Sequence, residues 1–147
     1  MTSKQLSRKY RILCVDDDLI SLGLRTAILE EEGYSVIAVS CPLMALKFDV
    51  SKFHLAVLDF AMPALNGFQL LLRLRAAHAS FPIVLLSSMS RDVPNDMRKV
   101  FSSCLDKEAP IDLLLNTIRS FLTLSPDPLE CRAMGRDARP LYRRNGP

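Results

Sequence analysis

Three consecutive aspartates, Asp16, Asp17 and Asp18, follow directly on the apolar run RILCV at residues 11–15. Asp59 closes a second such run, HLAVLD; Ser87 and Ser88 close a third, PIVLLSS; Asp106 and Lys107 close a fourth, SCLDK. Carboxylates brought together repel, each pair by roughly 3 kcal/mol at about 5 Å and an effective dielectric near 20. A cluster of them calls for a cation. Magnesium, or manganese in its place, takes oxygen ligands and commonly binds through one or two carboxylates with phosphate oxygens and waters. A lysine is a point-charge partner for phosphate. With a hydroxyl donor added, such a set would stabilise a phosphoryl group, and an aspartate can itself be the nucleophile that accepts one. A plainer reading stands beside this one: aspartates after a strand often only cap helices or form turns, and Ser87 alone is an ordinary strand-end hydroxyl.

The elements that would carry these residues decide whether they meet. Residues 11–15, 35–39, 54–59, 82–87 and 103–106 are short, mostly apolar and bounded by turn or polar residues, as buried strands are. Longer segments with helical spacing lie between them. Residues 19–33 have apolar positions at 19, 22, 24, 28 and 29 and end at Gly33, a helix C-cap signal. Residues 66–78 place 68, 71, 72 and 74 on one face, and 110–122, opening with Pro110, carry 111, 114, 115, 118 and 122. Two weaker helices are expected at 41–49 and at 91–101, the latter interrupted by Pro94. Strands that are apolar throughout, each followed by a helix, imply a parallel sheet covered on both faces, so the expected fold class is a doubly wound α/β unit. Ligands of such sheets bind beyond the carboxyl ends of the strands, where the strand order reverses. Asp16, Asp17, Asp59, Ser87 and Lys107 all fall on that edge. Asp18 is better placed to cap the first helix, where its oxygen can accept a backbone N–H and its charge suits the dipole.

At this point the chain resembles the receiver domains of bacterial two-component response regulators, from about Arg11 to Leu122. The matching pieces are VDD (15–17), LDFAMPALNG (58–67), LLSS (85–88) and Lys107. The resemblance implies a flavodoxin-like five-stranded sheet of order 2-1-3-4-5, with Asp59 as phosphoacceptor. It implies that Asp16 and Asp17 hold magnesium, Asp17 most directly, with the Asp59 carboxylate and the backbone carbonyl of Ala61 as further ligands. Ser87 would bond a phosphoryl oxygen and Lys107 would contact the phosphoryl group. Its partners would be a histidine kinase or phosphotransfer protein and a downstream protein, the chain being a monomer or a weak phosphorylation-dependent dimer. No separate turnover substrate is expected, so the chain is not read as an enzyme. Met62, Pro63 and Gly67 are loop residues that shape the segment beside Asp59, Gly67 by permitting positive φ.

Three features depart from the family's pattern. Glu108 follows the lysine where a proline, often cis, is usual, and its peptide should be trans because a non-proline cis bond costs about 3 kcal/mol. Cys104 stands where many members carry a Phe or Tyr, and Phe101, Ser102 and Ser103 replace a small Gly-Ala pair. These departures suggest an alternative, a receiver-like interaction module that works without phosphorylation. A phosphatase built on the Asp16/Asp18 DxD spacing is weaker still, because no Thr follows and no cap residues are available.

Composition narrows the remaining classes. The 147 residues suit one domain with a core; 49% apolar and 24% charged residues exclude a disordered or fibrous chain. The net charge of +3 is mostly in the tail: residues 1–122 hold 14 Lys+Arg against 13 Asp+Glu, and 123–147 hold 5 against 3. A near-neutral body argues against DNA binding. The four cysteines have no CxxC or Cys/His spacing, and Cys14 and Cys104 are expected to be small core residues. His54 and His78 lack partners for catalysis. With no signal peptide or apolar span in sight, the expected location is cytoplasmic. The expected organisation is an N-terminal extension (1–9), a receiver domain (10–122) and a flexible basic tail (123–147), with no direct DNA-binding unit in the 25 tail residues.

Overall fold

A five-stranded, all-parallel sheet in the order β2-β1-β3-β4-β5 organises the computed structural model, which describes residues 10–88 and 93–124. The strands are β1 (Arg11–Val15), β2 (Ser35–Val39), β3 (Leu55–Asp59), β4 (Ile83–Ser87) and β5 (Ser103–Asp106). Both the fold class and the strand order expected above are found. β3 and β4 are buried at every residue, whereas the edge strands β2 and β5 are partly exposed, because each has a neighbour on one side only.

Alternation along the central strands feeds two separate cores, as the period-2 geometry of a strand requires. Leu13, Val15, Ala56, Leu58, Ile83 and Leu85 face one side, which is covered by Ala45 of α2 (Pro42–Ala45) and by Leu70, Leu71 and Leu74 of α3 (Gly67–Ala76). Ile12, Cys14, Leu55, Val57, Val84 and Leu86 face the other. That side is covered by Leu22 and Leu29 of α1 (Leu19–Glu31) and by Leu114, Leu115, Ile118 and Leu122 of α5 (Ile111–Leu124). Both faces are sealed, which is why the central strands tolerate no polar residue until they reach their carboxyl ends.

Helix faces differ from expectation at particular positions. In α1 the buried stripe is Leu22, Arg25 and Leu29, while Leu19 and Leu24 are exposed. In α3 Leu70 is buried and Leu72 is exposed, since 70, 71 and 74 form the tighter i, i+1, i+4 stripe against the sheet. Ile111 of α5 is also exposed. The segment expected as a helix over 41–49 is helical only at Pro42–Ala45, and a 3-10 turn at Val50–Lys52 follows, started by Asp49 accepting from the Ser51 N–H at 3.0 Å. The helix expected at 91–101 shrinks to α4 (Asn95–Arg98): Pro94 occupies its N-cap, and a proline disfavours helical backbone in the residue before it. Residues 91 and 92 lie outside the described residues.

The helix ends follow their sequence signals. Asp18 caps α1, accepting from the Ser21 hydroxyl at 2.9 Å and from the N–H of Ile20 at 3.1 Å, and these bonds, the hydroxyl's above all, hold its carboxyl below the usual range. Gly33, at φ 99°, turns the chain out of α1 in the left-handed region that glycine adopts freely. α5 runs to Leu124, two residues past the expected domain limit. The expected extension 1–9 and the tail from residue 125 lie outside the described residues.

Candidate functional site

The strand order reverses between β1 and β3, and the crevice at their carboxyl ends is where the acidic residues gather. Asp16 and Asp17 leave β1, Asp59 is the last residue of β3, Ser87 the last of β4, and Lys107 follows β5. Backbone bonds fix these ends against one another. The Asp16 N–H donates to Val39 O at 3.2 Å, the Phe60 N–H to Leu86 O at 2.9 Å, and the Lys107 N–H to Ser87 O at 2.9 Å. The fold thus sets the spacing of the side chains before any of them interacts.

One carboxylate oxygen from each of Asp16, Asp17 and Asp59 lies within 4.8 Å of the others. Asp16 and Asp59 are buried and Asp17 is exposed, so the group opens to solvent on the Asp17 side. A cavity of about 440 Å³ lies there, lined by Asp17, Asp59, Phe60, Ala61, Ser87, Ser88 and Lys107. The structure therefore brings together the residues expected to bind metal or phosphoryl group: Asp59, Asp17, Ser87, Lys107 and Ala61 around the cavity, with buried Asp16 against Lys107.

Lys107 bridges the acids. Its Nζ stands 2.8 Å from Asp16 Oδ2 and 3.5 Å from Asp59 Oδ1. Burial, and then the neighbouring Asp16 carboxylate, push the Asp59 carboxyl up to about 6, against a weaker opposing pull from Lys107. Three carboxylates faced by Lys107 and one arginine leave the set with one uncompensated negative charge. The oxygen-only donors and the residual charge fit a hard divalent cation such as magnesium.

That arginine, Arg25, was not legible as a site residue. Its Nη1 and Nη2 lie 3.2 and 3.3 Å from Asp16 Oδ2, and its side chain is only 7% exposed. The available signal was its place: position 25 lies three residues after Leu22 and four before Leu29, on the inward stripe of α1. A cation there needs a buried carboxylate.

The other singled-out residues take structural roles. Gly67 is not at positive φ, contrary to expectation. A Cβ there would lie 2.6 Å from the Asp59 carbonyl oxygen and 2.7 Å from Leu85 Cδ1, so the glycine permits a close approach of α3 to the end of β3. Positive φ occurs instead at Ala64, 71°, in the same loop. His54 Nδ1 accepts the Arg11 N–H at 2.9 Å, and its ring meets Tyr10 edge to face. Cys14 is fully buried, with its thiol pushed up to about 12, whereas Cys104 is only partly buried and lies 3.6 Å from Arg98 O. No cis peptide bond occurs among the described residues, so Glu108 is trans as expected. None of the described helices is long and apolar enough to cross a membrane.

A doubly wound parallel sheet with an acidic crevice at its switch point, and a lysine reaching into it, defines the class: an acid-pocket domain of the flavodoxin-like kind. The profile of the response regulator receiver domain matches residues 12–119, and the chain belongs to that family, part of the two-component signalling systems. A transcriptional regulatory protein, the CpxR homolog of Haemophilus influenzae, is 29% identical over 120 residues, covering 80% of this chain and 52% of that protein. A putative two-component response regulator of Arabidopsis thaliana, ARR21, is 32% identical over 83 residues, covering 54% of this chain and 14% of that protein. The chain thus spans about half or less of the length of these relatives, which come from a plant as well as a bacterium. Among solved structures, response regulator TrrA of Thermotoga maritima, in complex with Mg(2+)-BeF, superposes with a TM-score of 0.71 at 27% identity, over 77% of this chain and 99% of that one. Chemotaxis protein CheY4 of Vibrio cholerae shares the fold, with a TM-score of 0.68 at 24% identity over 77% and 98% of the two chains.

Proposed function

We propose that this receiver domain is a phosphorylation switch in which Asp59 accepts a phosphoryl group from the phosphohistidine of a histidine kinase or phosphotransfer protein. The observation that carries this reading is the placement of Asp59: at the cavity wall, with Lys107 Nζ at 3.5 Å and the Asp16 and Asp17 carboxylates beside it. An Asp59 carboxylate oxygen forms the new bond to phosphorus as the bond from phosphorus to the imidazole nitrogen breaks, and the imidazole leaves with that electron pair.

Asp17 and Asp59, with the Ala61 carbonyl and with Asp16 behind them, would hold Mg2+. When bound, the ion would neutralise charge that builds on the phosphoryl oxygens. Lys107 would shift from bridging Asp16 and Asp59 to pairing with one phosphoryl oxygen, and the Ser87 hydroxyl would donate to another. The protein then serves as acceptor and assists its own transfer, with no separate turnover substrate. Phosphorylation of Asp59 alters what lines the β4 and β5 ends, and with it the affinity for a downstream protein. A cytoplasmic setting, where kinase and acceptor meet, belongs to the same reading.

The test is intact-mass spectrometry after incubation with a small acyl phosphate or phosphoramidate, with and without Mg2+, on wild type and Asp59→Ala. One Mg2+-dependent phosphoryl adduct, absent from the variant, is the expected result. An adduct that persists in Asp59→Ala, or no adduct from either the small donors or a phosphorylated histidine donor, refutes the assignment.

A further inference from the structure

Phosphoryl acceptance as proposed above uses Asp16, Asp17, Asp59, Ser87 and Lys107, but it leaves Arg25 unexplained. An arginine pointing inward from the apolar stripe of α1 loses most of its hydration, and its side chain is 7% exposed. Only an excellent partner offsets that cost. Asp16, fully buried, is that partner.

The donors on Asp16 are unevenly shared. Its Oδ2 takes Lys107 Nζ at 2.8 Å and both terminal nitrogens of Arg25 at 3.2 and 3.3 Å. Its Oδ1 takes the Asp18 N–H at 2.9 Å. Oδ2 is therefore filled by cations that belong to the protein, and Asp17 and Asp59 are the carboxylates that line the cavity.

We propose that Arg25 is a built-in counter-ion of the acidic crevice, a positioning residue that acts through Asp16. It neutralises Asp16 whether or not a divalent ion is present, so the crevice holds together without metal and binds metal more weakly than three free carboxylates would. It also releases Lys107. When that amine turns to a phosphoryl oxygen, Asp16 keeps a buried partner. This inference rests on the metal-binding reading given above.

The test is a Mg2+ titration of the whole chain, followed by the backbone amide resonances of Asp17 and Asp59, on wild type, Arg25→Gln and Arg25→Lys. A unit positive charge within about 10 Å of a divalent ion is worth more than about a factor of ten in affinity, even at an effective dielectric near 20. Arg25→Gln is expected to bind Mg2+ about tenfold more tightly or better, and Arg25→Lys, which keeps the charge, to stay near wild type. Equal or weaker Mg2+ binding by folded Arg25→Gln overturns the inference while leaving the proposed function intact. Absence of Mg2+ binding in every form, wild type included, overturns the metal reading and this inference with it.

A readout on wild type does not depend on any variant folding. The Arg25 side-chain N–H resonances are expected to exchange slowly with water both before and after Mg2+ saturation. Solvent-like exchange in either state overturns the ion pair as a lasting feature of the site.

Discussion

Asp59 gives the site a pH-dependent stability that can be worked out from its surroundings. Burial and the facing carboxylates raise its carboxyl from the ordinary 3.8 to about 6 in the folded protein. A carboxyl raised by folding stabilises the native state in its protonated form: that contribution is complete below 3.8 and is lost as pH rises through about 6. The gap corresponds to roughly 3 kcal/mol as an upper limit. The cavity beside Asp59 admits water, so solvent screening reduces this to about 1–2 kcal/mol. Urea unfolding in EDTA between pH 4.5 and 7.5, comparing wild type with Asp59→Asn, isolates the effect from carboxylates such as Asp18 that titrate lower. Wild type is expected to lose about 1–2 kcal/mol relative to Asp59→Asn across that window, displacing its midpoint by about 1 M urea at a typical slope for a small domain. A flat difference, or one that grows in favour of wild type toward high pH, would refute the reasoning.

Other perturbations have equally definite outcomes. Asp16→Asn leaves Arg25 buried without its full counter-charge, so thermal unfolding in EDTA is expected to show a loss of about 3 kcal/mol or more. Gly67→Ala drives a methyl group to 2.6 Å from the Asp59 carbonyl; a destabilisation of about 1–3 kcal/mol is expected, with shifted amide resonances at Asp59 and Phe60. Leu24→Gln and Leu29→Ala together test the face of α1. The first, at an exposed position, should change stability by less than about 0.5 kcal/mol, and the second, in the core, should cost about 2–5 kcal/mol in urea unfolding.

The misplaced helix faces have a common cause. Leu19, Leu24 and Leu72 are as apolar as their buried neighbours, and hydropathy alone cannot say which side of a helix meets the sheet when leucines surround it. The orientation of α1 comes instead from Arg25, whose charge must reach Asp16, and from the cap at Asp18, which fixes where the helix begins. Gly67 shows the same limit: a glycine signals either free φ or missing volume, and only the position of the Asp59 carbonyl reveals which.

Strand type, strand boundaries to within one residue, and the location of Asp16, Asp17, Asp59, Ser87 and Lys107 at strand ends were written into the chain. Continuous apolar runs can be satisfied only by burial on both faces, and polar residues must wait for the carboxyl ends. Distances between these residues were not written there, because they depend on strand order and on how β1, β3 and β5 align across the sheet. The tertiary structure alone brought Lys107 to 2.8 Å from Asp16 and closed the three carboxylates to within 4.8 Å. It also turned Arg25 from a surface charge into the buried partner of Asp16, since a counter-ion exists only once two segments have been packed together.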